Sequence, residues 1–166
     1  ILNDLTIRNG TATNSNGGAI QNNGGILTVN RCVFTNNKAI RITGNTDVFG
    51  GAIYSTGTLT VTNSIFTSNT AVSGSNNEGY GGAIYNTGSS TITGSNFTNN
   101  SVNSASGTRT DDGGAIYVTN TLNVTNCTFT GNNARDGGAI WSSRTLNITG
   151  SNFVTNTAIR NGGAIW

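Results

Sequence analysis

Two carboxylates at matching positions are the first candidates for chemistry in this chain. Asp112 and Asp136 each stand directly before a Gly-Gly pair, so we expect them to stack about one structural repeat apart. Carboxyl groups about 5 Å apart can hydrolyse a glycosidic bond or bind calcium. The other four acids are scattered, however, and there is no histidine, the commonest general base and zinc ligand. We therefore predict no catalytic residue, no metal site, no cofactor and no enzymatic activity.

Aromatic residues form a second candidate site. One follows almost every Gly-Gly-Ala-Ile motif, and it should point outward if the isoleucine points inward. An outward stripe of tyrosine and tryptophan can hold sugar rings or the surface of another protein. The alternative is that these rings pack beneath surface loops as a small cluster of their own. The residues of this candidate binding stripe are Tyr54, Tyr85, Tyr117, Trp141 and Trp166.

Asn-x-Ser/Thr sequences mark positions where a glycan can be attached. A chain rich in asparagine and threonine contains many of them by chance. Two of the six are expected at outward positions of strands, and one in a turn. The candidate N-glycosylation sites are Asn9, Asn96, Asn99, Asn123, Asn126 and Asn147.

An internal repeat positions all of these residues. Gly-Gly-Ala-Ile occurs six times, and a Phe-x-x-Asn motif follows 16 or 17 residues after the first glycine of five of the copies. The chain between this asparagine and the next glycine pair varies in length. Three insertions, roughly 38–49, 70–80 and 101–112, are expected to be surface loops. The Gly-Gly-Ala-Ile copies begin at Gly17, Gly50, Gly81, Gly113, Gly137 and Gly162.

The repeat has the residue pattern of strands. Segments such as Leu59-Thr-Val-Thr alternate apolar and polar residues, and asparagine, glycine or arginine stands three residues before each Phe, which suits a turn with positive φ. We predict an all-β fold, a right-handed single-stranded parallel β-helix (β-solenoid) of about six coils with three short strands per coil. Residues 1–166 would form a single domain, open at both ends.

Chemically matching residues should stack on one another along such a solenoid. We predict a core column of phenylalanine and a ladder of asparagine whose side-chain amides hydrogen-bond along the axis. The core Phe column is Phe34, Phe66, Phe97, Phe129 and Phe153. The structural Asn ladder is Asn37, Asn69, Asn100, Asn132 and Asn156.

The two cysteines share one column with serines. Cys32 and Cys127 stand two residues before a core Phe, three coils apart, which is about 14 Å at the usual strand spacing. A disulfide needs Cα atoms within about 7 Å. We therefore predict two free, buried thiols.

Gly-Gly-Ala-Ile alternating with Phe-x-x-Asn resembles the polymorphic outer-membrane protein repeat of bacterial autotransporter adhesins. It is also similar to the adhesin-like right-handed β-helix surface proteins of methanogenic archaea. The resemblance covers about residues 5–166. It implies a secreted, extracellular or cell-surface scaffold with an adhesin-like role.

Composition removes other classes of function. Eight scattered bases and a net charge of +2 do not form a nucleic-acid-binding surface. No apolar run approaches the roughly 20 residues of a membrane span. The partners that stay open are the chain itself, further repeats of the same chain, a surface glycan or a host protein.

The two ends of the sequence are expected to complete one coil. Leu5-Thr-Ile7 resembles the Leu-Thr-Val strand, which places Ala12 at the Phe position. If a second copy followed Trp166, Leu5 would lie at the sixth place after Ile165, the spacing found within the repeats. Exposed strand edges favour such stacking. We therefore expect a stiff extracellular filament, formed head-to-tail or by tandem continuation; the alternative is an adhesin module that binds glycan or a receptor through its aromatic stripe.

Overall fold

The computed structural model is an all-β parallel solenoid. It describes residues 1–44, 46–74, 77–104 and 111–166, and within these ranges there is no helix. Parts of the three predicted insertions lie outside the described residues. The strands in chain order are β1 (Leu2–Asn3), β2 (Thr6–Arg8), β3 (Thr11–Thr13), β4 (Ile20–Asn22), β5 (Leu27–Asn30), β6 (Val33–Thr35), β7 (Lys38–Ile40), β8 (Val48–Phe49), β9 (Ile53–Ser55), β10 (Leu59–Thr62), β11 (Ile65–Thr67), β12 (Thr70–Ser73), β13 (Gly79–Tyr80), β14 (Ile84–Asn86), β15 (Ser90–Thr93), β16 (Asn96–Thr98), β17 (Ser101–Ser104), β18 (Asp111–Asp112), β19 (Ile116–Val118), β20 (Leu122–Thr125), β21 (Thr128–Thr130), β22 (Asn133–Asp136), β23 (Ile140–Ser142), β24 (Leu146–Thr149), β25 (Asn152–Val154) and β26 (Thr157–Asn161).

Each strand pairs in parallel with its counterpart in the next repeat, and the pairs build four sheets. The first sheet has the order β1-β5-β10-β15-β20-β24, and the second β2-β6-β11-β16-β21-β25. The third runs β3-β7-β12-β17-β22-β18-β13-β8, with β26 also paired to β22. The fourth has the order β23-β19-β14-β9-β4. The prediction of three strands per coil is therefore wrong, since one repeat passes through four sheets.

Turns with positive φ separate the first sheet from the second. The residue three places before each core Phe has φ between 48° and 59°, as the sequence predicted. Asparagine and glycine tolerate this left-handed region best, so the column holds few other residue types. The turn residues are Arg31, Asn63, Gly94, Asn126 and Gly150.

The interior is built from columns of matching apolar side chains. Phe66, Leu59, Val61 and Ile84 each have no exposed surface. In the strands these residues alternate with half-exposed neighbours, which is the burial pattern that the sequence alternation predicts. Both cysteines are buried and free, as predicted.

The second glycine of each Gly-Gly pair permits the coils to approach closely. A Cβ added to Gly82 would lie 2.1 Å from the carbonyl oxygen of Gly114 in the next coil. No side chain fits between these backbones, so the pair is required by packing between coils as well as by the turn.

The segments beyond the asparagine ladder differ from the prediction of surface loops. Their first residues form β7, β12 and β17, and their last residues form β8, β13 and β18, all in the third sheet. Ala39, Val48, Ala71 and Val102 are buried there as a second, smaller apolar cluster. In β22, which has no insertion, one continuous strand pairs with both β17 and β18. In short alternating segments such as Lys-Ala-Ile the alanine is buried. These segments therefore form strands although their composition is polar.

The predicted register of the first coil is wrong. Ile7, not Ala12, pairs with Phe34, and Ala12 pairs with Ala39 in the third sheet. Leu5 lies outside the strands and is 43% exposed. The spacing from Ile165 to Leu5 of a second copy therefore does not continue the repeat. Alternation of apolar and polar residues fits either pairing of the first coil, and burial of Ile7, which is larger than Ala12, selects the observed one.

Within the described residues there is no helix with the length and apolar character that a membrane crossing requires.

Candidate functional site: the outer aromatic column

The predicted aromatic stripe lies in the fourth sheet, at the middle residue of β9, β14, β19 and β23. In β14, Ile84 and Asn86 are buried, and the half-buried Tyr85 between them points outward. Tyr85 is in register with Tyr54 on one side and Tyr117 on the other. We call the set Tyr54, Tyr85, Tyr117, Trp141 and Trp166 the outer aromatic column.

The four rings from Tyr54 to Trp141 in the outer aromatic column stack on one another. The ring centroids are 5.5 Å apart for Tyr54 and Tyr85, 5.3 Å for Tyr85 and Tyr117, and 4.2 Å for Tyr117 and Trp141. The ring planes are within 8° of parallel. Tyr85 and Tyr117 therefore have both faces covered, so a ligand can reach their edges and hydroxyl groups but not their faces. Trp166 is 54% exposed.

A second row of side chains lies against this column. Phe49 is tilted against Tyr85 with centroids 4.6 Å apart, and Tyr80 against Tyr117 with centroids 4.8 Å apart. Burial, with a smaller contribution from Tyr54, raises the pKa of Tyr85 to about 12. This part of the molecule fits the interpretation as a packed aromatic cluster. Phe49 and Tyr80 each stand directly before a glycine pair. We call the residues at this position the pre-glycine column: Asn16, Phe49, Tyr80, Asp112, Asp136 and Asn161.

Farther along, the same column changes from aromatic to acidic. Asp112 is in register with Asp136, as their spacing predicted, and they are 5% and 1% exposed. Arg160 Nε donates to both carboxylate oxygens of Asp136 at 3.0 Å, and this pairing lowers the pKa of Asp136. Oδ1 of Asp112 accepts no hydrogen bond from the described residues. Burial and the nearby charge of Asp136 raise the pKa of Asp112 to about 7.

One carboxylate of this acidic pair, that of Asp136, is held by hydrogen bonds within the protein. Asp136 is occupied by Arg160 and by the backbone N–H of Asn161 at 2.9 Å. The described residues contain no group of three or more His, Cys, Asp or Glu side chains placed to hold a metal ion.

The structure brings the predicted core Phe column together. Successive ring centroids are 4.7 to 4.9 Å apart, and the planes are within 6° of parallel. Phe34, Phe66, Phe97 and Phe129 are fully buried, and Phe153 is half-buried. This centroid distance equals the distance between neighbouring strands of a parallel sheet, so successive rings lie one coil apart along the axis.

The predicted Asn ladder is also assembled. Nδ2 of Asn69 donates to Oδ1 of Asn100 at 3.0 Å and to the backbone carbonyl of Phe34 at 2.9 Å. The same Oδ1 accepts the backbone N–H of Asn69 at 3.0 Å. Asn37, Asn100 and Asn132 repeat these contacts, and Asn156 closes the row as the acceptor for Asn132. A buried amide in this position satisfies backbone groups that the turn leaves without partners.

The candidate glycosylation sites fall into two environments. Asn96 and Asn147 are exposed on strands, and Asn123, half-buried on β20, accepts a hydrogen bond from Asn147 at 2.8 Å. The remaining three occupy exposed turn positions with φ between 52° and 58°: Asn9, Asn99 and Asn126.

Sequence reasoning missed the packing of Phe49 and Tyr80 against the outer aromatic column. The available signal was their common position, five residues before Tyr54 and Tyr85. The same position holds aspartate and asparagine in the other repeats, which obscures its aromatic members.

The matching family supports this repeat architecture. The model of the Chlamydia polymorphic membrane protein repeat matches residues 31–56, 63–87, 94–119 and 126–143, together more than half of the chain. The chain belongs to the Chlamydia polymorphic membrane protein repeat family. The four matches begin at Arg31, Asn63, Gly94 and Asn126, which are the positive-φ turn residues. The family repeat is therefore the unit that starts at this turn and runs through the Phe column, the Asn ladder and the glycine pair.

No curated protein and no solved structure matches the chain. Its membership of the polymorphic membrane protein repeat family rests on the four matched segments.

Proposed function

We propose that this polymorphic membrane protein repeat chain is a structural, adhesin-like module of an extracellular cell surface. Its six right-handed coils would extend into a stiff filament, either by head-to-tail stacking of copies or by tandem continuation of the same chain. The role is mechanical and requires neither a catalytic residue nor a cofactor. The principal partner is the chain itself or further repeats of it.

The observation that carries the proposal is the uniform stacking of the interior. From Phe34 onward every coil contributes one Phe and one Asn to the stack, and the strands of all four sheets are parallel. Parallel ladders combined with an amide ladder resist bending and local opening, because each coil is bonded to its neighbours along its whole perimeter.

The location is proposed from the family. Its description is that of a membrane protein repeat. The resemblance of the motifs to the repeats of autotransporter adhesins supports a position outside the cell. Low charge and buried thiols are compatible with an extracellular position.

Gly163 offers a sharp test of head-to-tail stacking. A Cβ on each of the second glycines from Gly18 to Gly138 would lie 2.0 to 2.3 Å from a glycine carbonyl of the next coil. The nearest atom to a Cβ on Gly163 is 3.7 Å away, so Gly163→Ala is compatible with the single chain but would clash with a further coil. Gly74→Ala is the control, since its Cβ would meet no atom closer than 3.4 Å.

We expect the wild type and Gly74→Ala to form rods in electron micrographs and to sediment as growing oligomers. Gly163→Ala should stay monomeric with unchanged thermal unfolding. Six coils at about 4.8 Å predict an axial repeat of about 29 Å per copy. Equal assembly of Gly163→Ala would exclude this stacking mode. Native material without rods, together with a monomeric purified chain, would exclude the filament in both forms.

A second candidate function is binding of a glycan or a host receptor at the outer aromatic column. Trp141 favours it, because the pre-glycine column beside it holds aspartates instead of the rings that lie against Tyr85 and Tyr117. A glycan array with wild type, Trp141→Ala and the control Tyr54→Ala would test it. Binding that is lost only in Trp141→Ala supports this candidate, and an array without signal rejects glycan binding.

A further inference from the structure

All four tyrosines of the chain converge on one outward patch. Tyr54, Tyr85 and Tyr117 stack in the outer aromatic column, and Tyr80 lies against Tyr117. The core column, by contrast, contains only phenylalanine. The phenol rings, which can be oxidised, therefore lie at the solvent-facing column, and the core holds only inert phenyl rings.

We propose that this patch is a site of oxidative tyrosine cross-linking, in which Tyr85 becomes covalently joined to Tyr54 or to Tyr117 of the adjacent coil. The product is a dityrosine bridge between the ring carbons ortho to the two hydroxyl groups. The co-reactant is a one-electron oxidant of the extracellular space, such as an activated peroxide.

The register of the fourth sheet brings the reacting carbons together. The two tyrosine pairs are in-register neighbours with centroids 5.5 and 5.3 Å apart. Because the planes are within 8° of parallel, the ortho carbons are separated by about the same distance as the centroids. The side chains are half-buried and outside the core, so rotation about their side-chain bonds can close the remaining distance.

The reaction balances with two electrons and two protons. Each phenol loses one electron to the oxidant and its hydroxyl proton to a base, which leaves two phenoxyl radicals. These couple by forming one carbon–carbon bond, which converts both rings to dienones, and the hydrogens on the two bonded carbons then move to the carbonyl oxygens and restore the two phenols. One molecule of hydrogen peroxide takes up the two electrons and two protons and becomes two molecules of water.

Glu78 supplies a base within the patch. The hydroxyl group of Tyr80 donates a hydrogen bond to its carboxylate. Loss of the phenol proton accompanies the loss of the electron, so a positioned carboxylate assists oxidation at Tyr80. Tyr80 lies 4.8 Å from Tyr117, with ring planes at 58°, and this makes Tyr80–Tyr117 a second, less aligned pair.

The sequence allows the bridges to be located. Cleavage after Lys and Arg combined with cleavage after Glu78 releases fragments 42–78, 79–109 and 110–135. The first contains Tyr54, the second Tyr80 and Tyr85, and the third Tyr117. A bridge from Tyr54 to Tyr85 joins the first fragment to the second. A bridge from Tyr117 to Tyr85 or to Tyr80 joins the second to the third, and Tyr80→Phe and Tyr85→Phe distinguish these two bridges.

The experiment oxidises the dilute, monomeric chain with photogenerated tris(bipyridine)ruthenium(III) and persulfate. Mass spectrometry should show a monomer that is two hydrogen atoms lighter, with one of these fragment pairs joined. Tyr85→Phe keeps the stacked ring but removes the phenol, so it should abolish the 42–78 to 79–109 product. Tyr80→Phe, the matched control, should retain that product.

Several outcomes would overturn the proposal. These are a monomer of unchanged mass, cross-links only between molecules, or the same yield of the 42–78 to 79–109 product from Tyr85→Phe. An equal yield from the chain oxidised in denaturant would also overturn it, since stacking would then be irrelevant. A bridged chain should unfold at a higher denaturant concentration than the untreated chain, because the cross-link restricts the unfolded state.

Discussion

The core Phe column and the outer aromatic column both place one ring per coil, yet only the first is chemically uniform. The inner rings are 4.7 to 4.9 Å apart and enclosed by buried aliphatic residues. The outer rings vary from 4.2 to 5.5 Å and change from tyrosine to tryptophan along the molecule. An enclosed volume accepts one side-chain shape, whereas an open face tolerates exchange. Uniformity therefore marks the residues that hold the fold, and variation marks the surface available for function.

The largest effect is expected in the core Phe column. Phe97→Ala removes a fully buried ring that stacks on both neighbours and should lower the free energy of unfolding by about 3–5 kcal/mol. Denaturant titration followed by circular dichroism measures the loss. A cost no greater than that of Tyr85→Ala would contradict the distinction between the two columns.

The next largest effect is expected in the Asn ladder. Asn100→Ala removes the acceptor for Asn69 and the donor to the carbonyl of Phe66, all of them buried. Leaving these groups without partners should cost about 2–4 kcal/mol. The same titration measures it, with the exposed Asn103→Ala as control. If both variants were equally stable, the ladder would have no structural role.

The acidic part of the pre-glycine column extends the comparison to pH. The pKa of Asp112 is raised from 3.8 to about 7 by burial, so the folded state holds the proton more tightly than the unfolded state. The stability of the wild type should therefore fall as the pH rises from about 4 to 7 and then level off. Asp112→Asn cannot ionise, and it should be more stable than the wild type by about 1–3 kcal/mol at pH 8 but not at pH 4.

Thermal unfolding across this pH range measures the difference. Asp136 is the contrasting group: Arg160 lowers its pKa, so its contribution is lost only as the pH falls below 3.8. A stability difference that did not depend on pH would show that folding does not raise the pKa of Asp112.

The smallest effect is expected in the outer aromatic column. Tyr85→Ala removes a half-buried ring, and we expect a cost of about 1–2 kcal/mol from lost burial and stacking. Tyr85→Phe should cost less than about 0.5 kcal/mol, because the ring remains and only an outward hydroxyl group is lost. A loss from Tyr85→Phe as large as that from Tyr85→Ala would mean that the hydroxyl group, not the stack, stabilises this face.

Much of the molecule follows from residue spacing. Phe66 and Asn69 recur at fixed distances from a glycine pair, so their stacking could be predicted without coordinates. The first coil could not be predicted in this way. Leu5 and Ile7 both fit an alternating pattern, and only burial of Ile7 against Phe34 selects the register. The strand at Thr70–Ser73 could not be predicted either, because the residues that it buries are a small alanine and a polar serine.

The sequence by itself determined that coils stack and which residues share a column, because a repeat of nearly constant length places like residues at like positions. Tertiary structure alone decided how the insertions return to the third sheet, and which aromatic residues cover one another. Those contacts join Phe49 to Tyr85 and Tyr80 to Tyr117, one coil apart. They depend on the axial rise and on the direction of side chains between coils, and no pattern along a single strand contains that information.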